Sequence, residues 1–123
     1  MSNDPIVFVV DDEPAVLTST TVLLEAAGFN VQSFASAEDF LASYAPGQSG
    51  CLLLDVRLPG MSGVELLLRL GVDDIRLPVI LISGHANDEI RKEGMANGAV
   101  TLLEKPIGSQ QLIEHVRNAI KGL

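Results

Sequence analysis

A chain of 123 residues with a net charge of −8 makes one domain of ordinary size, long enough to bury a core without disulfide or structural metal. Its 16 acidic residues against 8 Lys and Arg exclude a domain that itself grips nucleic acid, because affinity for a phosphate backbone comes largely from basic side chains. The hydrophobic share of 47% with only 4% aromatics points to an aliphatic core, the single Cys51 suits a reducing cytoplasm, and the opening Met-Ser-Asn-Asp-Pro carries neither the basic flank nor the apolar stretch of a signal peptide or membrane span.

Strand-like and helix-like segments alternate along the chain. The apolar run Ile6–Val10 reads as a first strand. Pro14 marks the start of a helix and Gly28 lies past its end, with Val16, Thr20, Leu23, Leu24 and Ala27 on one face. Asn30–Phe34 is a short second strand, and Ser36 caps a helix that Pro46-Gly47 stops after Tyr44. The run Cys51–Leu54 leads into Asp55, and Ser62-Gly63-Val64-Glu65 is a capping box for a helix to about Leu70. After Pro78, Val79–Ile82 forms a fourth strand ending at Ser83. Asn87-Asp88-Glu89 then opens a helix to about Gly98, in which Gly94 costs about 0.5–1 kcal/mol relative to Ala and makes this helix the least rigid. Val100–Leu103 is the fifth strand, and Ser109 caps a last helix whose Leu112, Ile113, Val116 and Ile120 face inward.

Five strand–helix units imply a parallel sheet with helices on both faces. The strands lack alternation because both of their faces are buried. A flavodoxin-like order 2-1-3-4-5 puts the switch point between the first and third strands, at their carboxyl ends. Asp11, Asp12, Asp55, Ser83 and Lys105 all follow strand-like runs, so they converge on that edge. Clustered carboxylates repel one another unless a cation relieves them. A hard divalent ion such as Mg²⁺ takes oxygen ligands of this kind. An Asp carboxylate can act as nucleophile toward phosphorus, and phosphoryl transfer needs mainly positioning and charge neutralisation. Lys105 supplies positive charge, the Ser83 hydroxyl a donor to a phosphoryl oxygen, and Gly84 a backbone that permits close approach.

Taken singly, each residue also has a plainer account. Asp11-Asp12-Glu13 before Pro14 suits a helix start, Asp55 a turn, Ser83 a loop and Lys105 a solvated surface. Four such residues at the ends of four strands make coincidence a poor explanation. His85 and His115 read as loop and exposed helix residues, and Tyr44 as a partly buried packing residue.

The segments Val9-Val10-Asp11-Asp12-Glu13, Asp55-Val56-Arg57-Leu58-Pro59-Gly60-Met61-Ser62-Gly63, Ser83-Gly84-His85 and Glu104-Lys105-Pro106 resemble the receiver domains of bacterial two-component response regulators, FixJ-type regulators most of all. The resemblance runs from Ile6 to about Lys121. It implies a single receiver domain over 1–123, cytoplasmic and outside the membrane, that accepts a phosphoryl group on Asp55 from a histidine kinase or phosphotransfer protein. It implies Mg²⁺ (or Mn²⁺) held by Asp12 directly, Asp11 mainly through water, Asp55 and the main-chain carbonyl of Arg57. It also implies phosphoryl contacts from Ser83, Gly84 and Lys105, with a cis bond between Lys105 and Pro106. Such a domain is no enzyme in the usual sense, although it assists its own phosphorylation and dephosphorylation. Its output surface is the fourth helix, fifth strand and fifth helix, which control an output domain in transcription regulation or pair in a homodimer through residues such as Met95 and Ile107. FixJ-type regulators continue into a DNA-binding domain, whereas no helix-turn-helix follows here.

One position departs from the pattern. The family's switch aromatic, three residues before the lysine, is Leu102 here, which puts the usual relay from Ser83 in doubt and directs attention to the Ser83–Asn87 loop and the fourth helix. Three other readings compete. A flavodoxin-like cofactor binder requires a phosphate loop rich in Gly, Ser and Thr, where this chain has Asp-Asp-Glu-Pro. A haloacid-dehalogenase-type phosphatase requires an acid two residues after the nucleophile, where Arg57 stands. A degenerate receiver acting as a plain interaction module is favoured only by Leu102.

Overall fold

The computed structural model describes residues 4–85 and 87–122. Met1–Asn3, which begin the segment read for a signal peptide, lie outside the described residues, as do Ala86 in the Ser83–Asn87 loop and Leu123. The elements are β1 (Ile6–Val10), α1 (Pro14–Ala26), β2 (Asn30–Phe34), α2 (Ala37–Ser43), β3 (Gly50–Asp55), α3 (Gly63–Val72), β4 (Val79–Ser83), α4 (Asp88–Ala96), β5 (Thr101–Glu104) and α5 (Ser109–Lys121). All five strands are parallel and lie in the order β2-β1-β3-β4-β5, the flavodoxin-like order expected among the few that right-handed crossovers allow. No helix among the described residues is long and apolar enough to cross a membrane.

The period-2 geometry of a strand divides each apolar run between two cores. Phe8, Val10, Leu52, Leu54 and Leu81 face α2, α3 and α4, where Phe40, Leu66 and Leu70 cover them. Val7, Val9, Cys51, Leu53 and Ile80 face the other way, where Leu24 of α1 and Leu112 and Val116 of α5 cover them. Every residue of β3 and β4 is buried, which explains their unbroken hydrophobicity. Four of the five aromatics, Phe8, Phe34, Phe40 and Tyr44, pack as one cluster that fixes α2 on the sheet, with ring centroids 5.4–6.5 Å apart.

The predicted caps of α2, α3 and α4 are present. Ser36, Ser62 and Asn87 accept the N–H groups of Asp39, Glu65 and Ile90, and Glu65 completes the capping box. Several expectations need correction. Ser109 is the first residue of α5 and not its cap; Gly108 holds that place without a side-chain bond. β5 begins and ends one residue later than expected, with Val100 exposed and Glu104 inside the strand. His115 is half-buried and not exposed, and Ala119, missed in the helical pattern, is buried. On α1 only Leu24 of the expected face is fully buried. Gly94 has a packing reason: a Cβ there would lie 2.5 Å from Leu81 Cδ1, so its absence lets α4 approach β4.

Candidate functional site

Every strand carboxyl end points the same way in a parallel sheet, so residues far apart in sequence meet at one edge. Asp11 follows β1 and is 5% exposed, Asp55 ends β3 at 6%, and Ser83 ends β4 at 1%. These are the buried polar residues of the described chain. Asp12 is exposed beside them, and oxygen atoms of Asp11, Asp12 and Asp55 all lie within 4.8 Å of one another. Lys105, just past β5, extends its Nζ between two of the carboxylates, 3.2 Å from Asp11 Oδ2 and 3.1 Å from Asp55 Oδ2.

Local backbone holds each group in place. Asp11 Oδ1 accepts the Glu13 N–H at 2.9 Å, which ties the residues before Pro14 to the site. Asp55 Oδ1 accepts the Arg57 N–H at 2.9 Å, so the main chain of Arg57 runs alongside the carboxylate while its side chain is exposed. Ser83 Oγ accepts the His85 N–H at 3.1 Å and keeps its own proton to donate. The Lys105 N–H donates to the Ser83 carbonyl at 2.9 Å, and the Lys105–Pro106 bond is cis. At Gly84 a Cβ would meet nothing within 4 Å, so no protein atom demands glycine there. Leu102 is packed into the core at 4% exposure, away from the carboxylates.

Charge and burial oppose each other here. Burial pushes the Asp55 carboxyl above its ordinary range; the Arg57 N–H and Lys105 pull it back, and the Asp11 charge adds to the rise. Burial alone would lower Lys105, but its hydrogen bond and attraction to Asp55, then to Asp11, hold its pKa above the ordinary lysine value. Three carboxylates and one ammonium leave a net negative pocket with oxygen ligands on one side. That donor set fits a hard divalent cation. A groove of about 610 Å³ between α1 and α5, floored by Val9, Leu53 and Ile82, opens beside Asp11, Asp55 and Lys105.

A doubly wound sheet that collects an acidic trio and a lysine at its switch point defines a signalling module of the phosphoacceptor class. The chain belongs to the response regulator receiver domain family, which residues 7–117 match. It is 40% identical to nodulation protein W of Bradyrhizobium diazoefficiens over 115 residues, covering 94% of this chain and 51% of that protein. It is 42% identical to the transcriptional regulatory protein FixJ of Rhizobium meliloti over 120 residues, covering 98% of this chain and 59% of that protein. The solved structure of FixJ-N is similar over 100% of this chain and 98% of its own, with a TM-score of 0.90 at 41% identity. The chain therefore spans little more than half the length of these two relatives. The FixJ-type resemblance and the 2-1-3-4-5 fold are both borne out. The chain is a signalling domain and not a classical enzyme.

The sequence reading passed over one contact to the loop that follows Asp55, made by Glu38. Its carboxylate Oε2 accepts the Met61 N–H at 3.1 Å, across from α2 to the loop after Asp55. Only the fold brings these positions together.

Proposed function

We propose that this domain accepts a phosphoryl group on Asp55 from a phosphohistidine of a histidine kinase or phosphotransfer protein, with Mg²⁺ or Mn²⁺ as cofactor. The observation that carries the reading is Lys105 Nζ seated between the carboxylates of Asp11 and Asp55 inside a trio of acids. Asp11, Asp12, Asp55 and the Arg57 carbonyl would hold the cation. When bound, the ion neutralises the clustered carboxylates and part of the phosphoryl charge. A carboxylate oxygen of Asp55 attacks phosphorus while the P–N bond to the donor breaks, and the imidazole leaves with the bond electrons and takes a proton from solvent. Lys105 is placed to follow the new phosphoryl oxygens, since it already donates to the oxygen being phosphorylated or to its neighbour. Ser83 offers its hydroxyl and Gly84 its backbone to the same oxygens. These residues assist both gain and hydrolytic loss of the group.

A cytoplasmic location belongs to the same proposal, since a kinase's phosphohistidine is available there. Its output passes to an attached domain or partner, or to a second copy, through α4, β5 and α5. Met95 is exposed there, whereas Ile107 is half-buried against the α1–α5 core and offers less to such a surface. The test is incubation with Mg²⁺ and acetyl phosphate, or with a kinase, followed by intact-mass measurement. One phosphoryl group should add, and Asp55→Asn or a chelator should abolish the addition. An unchanged mass with both donors, or labelling that survives Asp55→Asn, refutes the reading.

A further inference from the structure

The loop between β3 and α3 carries the Arg57 carbonyl, and its backbone is secured from several directions. Val56 N–H donates to the Ile82 carbonyl, Gly63 N–H to the Val56 carbonyl, and Ser62 N–H to Glu65 Oε1. Those bonds fix the two ends. The outer bend at Gly60-Met61 is held from α2, by Glu38 Oε2 on the Met61 N–H. The approach is close. Gly60 has φ +74, and a Cβ built on it would lie 2.5 Å from the same Glu38 oxygen. Glu38 is not needed to cap α2, because Ser36 Oγ already takes the Asp39 N–H. The helix that carries it is anchored by Ala37 and Phe40, both fully buried, and by the four-ring cluster beneath them.

The geometry points to Glu38 as a positioning residue for the cation-binding and phosphoacceptor loop. Resting on the acceptor reading above, the inference is that Glu38 holds the Gly60-Met61 bend so that the main chain of Arg57 stays against Asp55. Glu38 touches neither cation nor phosphoryl group, and it acts through the loop backbone. Partners of this kind set the orientation of the groups that bind a metal. At Gly60 it is the positive φ that favours glycine, since a Cβ there would displace only the flexible end of Glu38.

The test compares the chain with Glu38→Ala and Glu38→Gln; the amide oxygen of Gln can still accept the Met61 N–H. Amide exchange over residues 60–62 without metal should quicken by roughly fivefold in Glu38→Ala, the loss of about one ordinary hydrogen bond. Calorimetric titration should show Mg²⁺ affinity weakened roughly 3–10-fold, less than for a direct orienter of a ligand. Glu38→Gln should return both to within about twofold of the parent chain, which mere loss of a charge near the site would not allow. Labelling by acetyl phosphate at saturating Mg²⁺ should recover in Glu38→Ala, because the acceptor is intact. Unchanged exchange or unchanged Mg²⁺ affinity in Glu38→Ala, or equal impairment in both variants, overturns the inference. A parent chain that neither binds Mg²⁺ nor accepts a phosphoryl group overturns the acceptor reading instead, and the exchange comparison still decides whether Glu38 holds the loop.

Discussion

Asp55→Asn should make the metal-free protein more stable at neutral pH. Lys105 lies 3.1 Å from Asp55 and, at an effective dielectric of about 20, attracts its charge by about 5.4 kcal/mol. Asp11, within 4.8 Å, opposes this by at least about 3.5 kcal/mol at the same dielectric, and exposed Asp12 adds a screened fraction of that. The Coulomb terms thus cancel to within about 2 kcal/mol, and desolvation of a carboxylate only 6% exposed decides the sign. This agrees with the raised pKa of Asp55, whose first cause is burial. Asn keeps the oxygen that accepts the Arg57 N–H and sheds the charge. A gain of about 1–2 kcal/mol follows, or about 4–8 °C in Tm for a domain of this size. The pH dependence has a definite direction. With its pKa raised in the folded state, Asp55 binds more protons there than in the unfolded chain, so it lowers stability as pH rises from about 4 through the folded pKa. The gap between variant and parent should therefore open across that window and close below about pH 4. Thermal unfolding by circular dichroism from pH 3 to 8 with chelator measures it. Adding Mg²⁺ at ten times its Kd should stabilise the parent by about 1.4 kcal/mol and the variant by much less. A variant less stable than the parent at pH 7 without metal, or a gap that persists at pH 3, refutes the reasoning.

Gly94→Ala should destabilise by about 0.5–2 kcal/mol, because its Cβ would lie 2.5 Å from Leu81 Cδ1 and this overpacking outweighs the helix gain of Ala, and Leu81→Ala in the same chain should show a coupling of opposite sign in a denaturant double-mutant cycle. Asp74 closes α3 at φ 55, with Ile75 N–H returning to the Leu70 carbonyl, so Asp74→Gly should stabilise by about 0.5–1 kcal/mol in the same assay. Cys51 is buried in β3 with its thiol pushed up to about 12, so alkylation by iodoacetamide at pH 8 should be negligible in the folded protein and complete in denaturant.

The layout of the site was legible because its residues are terminal to strands. A parallel sheet needs only the correct strand order to bring Asp11, Asp55, Ser83 and Lys105 together, and right-handed crossovers between alternating elements leave few orders, of which the flavodoxin-like one is found. Capping residues were legible for a similar reason, since Ser36, Ser62 and Asn87 act on amides three positions away. Features that depend on distance in space were not. Gly94 looks like a weak point in a helix until Leu81 is found against it. Glu38 looks like an ordinary acid in a first turn until α2 is set beside the loop 23 positions later. Ser109 looks like a cap because Ser often is one, yet the preceding Gly108 takes the extended conformation that starts α5.

Leu102 marks where the familiar pattern of the fold stops being a guide. A swinging aromatic requires a ring that leaves solvent for the interior, and Leu102 is already inside, paired with Leu81 across β4 and β5 and part of the core on the α2–α4 face. Main-chain contacts also join Ser83 to α4 through β5. Ser83 pairs with Glu104 in the β4–β5 register, and its carbonyl accepts the Lys105 N–H at 2.9 Å. Two residues back on the same strand, the Leu102 carbonyl accepts from the Arg91 guanidinium of α4 at 3.4 Å. β5 is an edge strand, so this carbonyl faces α4 without a sixth strand to take it, and Arg91 satisfies it. One bonded link between the carboxylate site and the α4 surface therefore runs through the backbone of β5, beside the shorter one through Ser83, His85 and the Asn87 cap, and neither depends on which side chain occupies position 102.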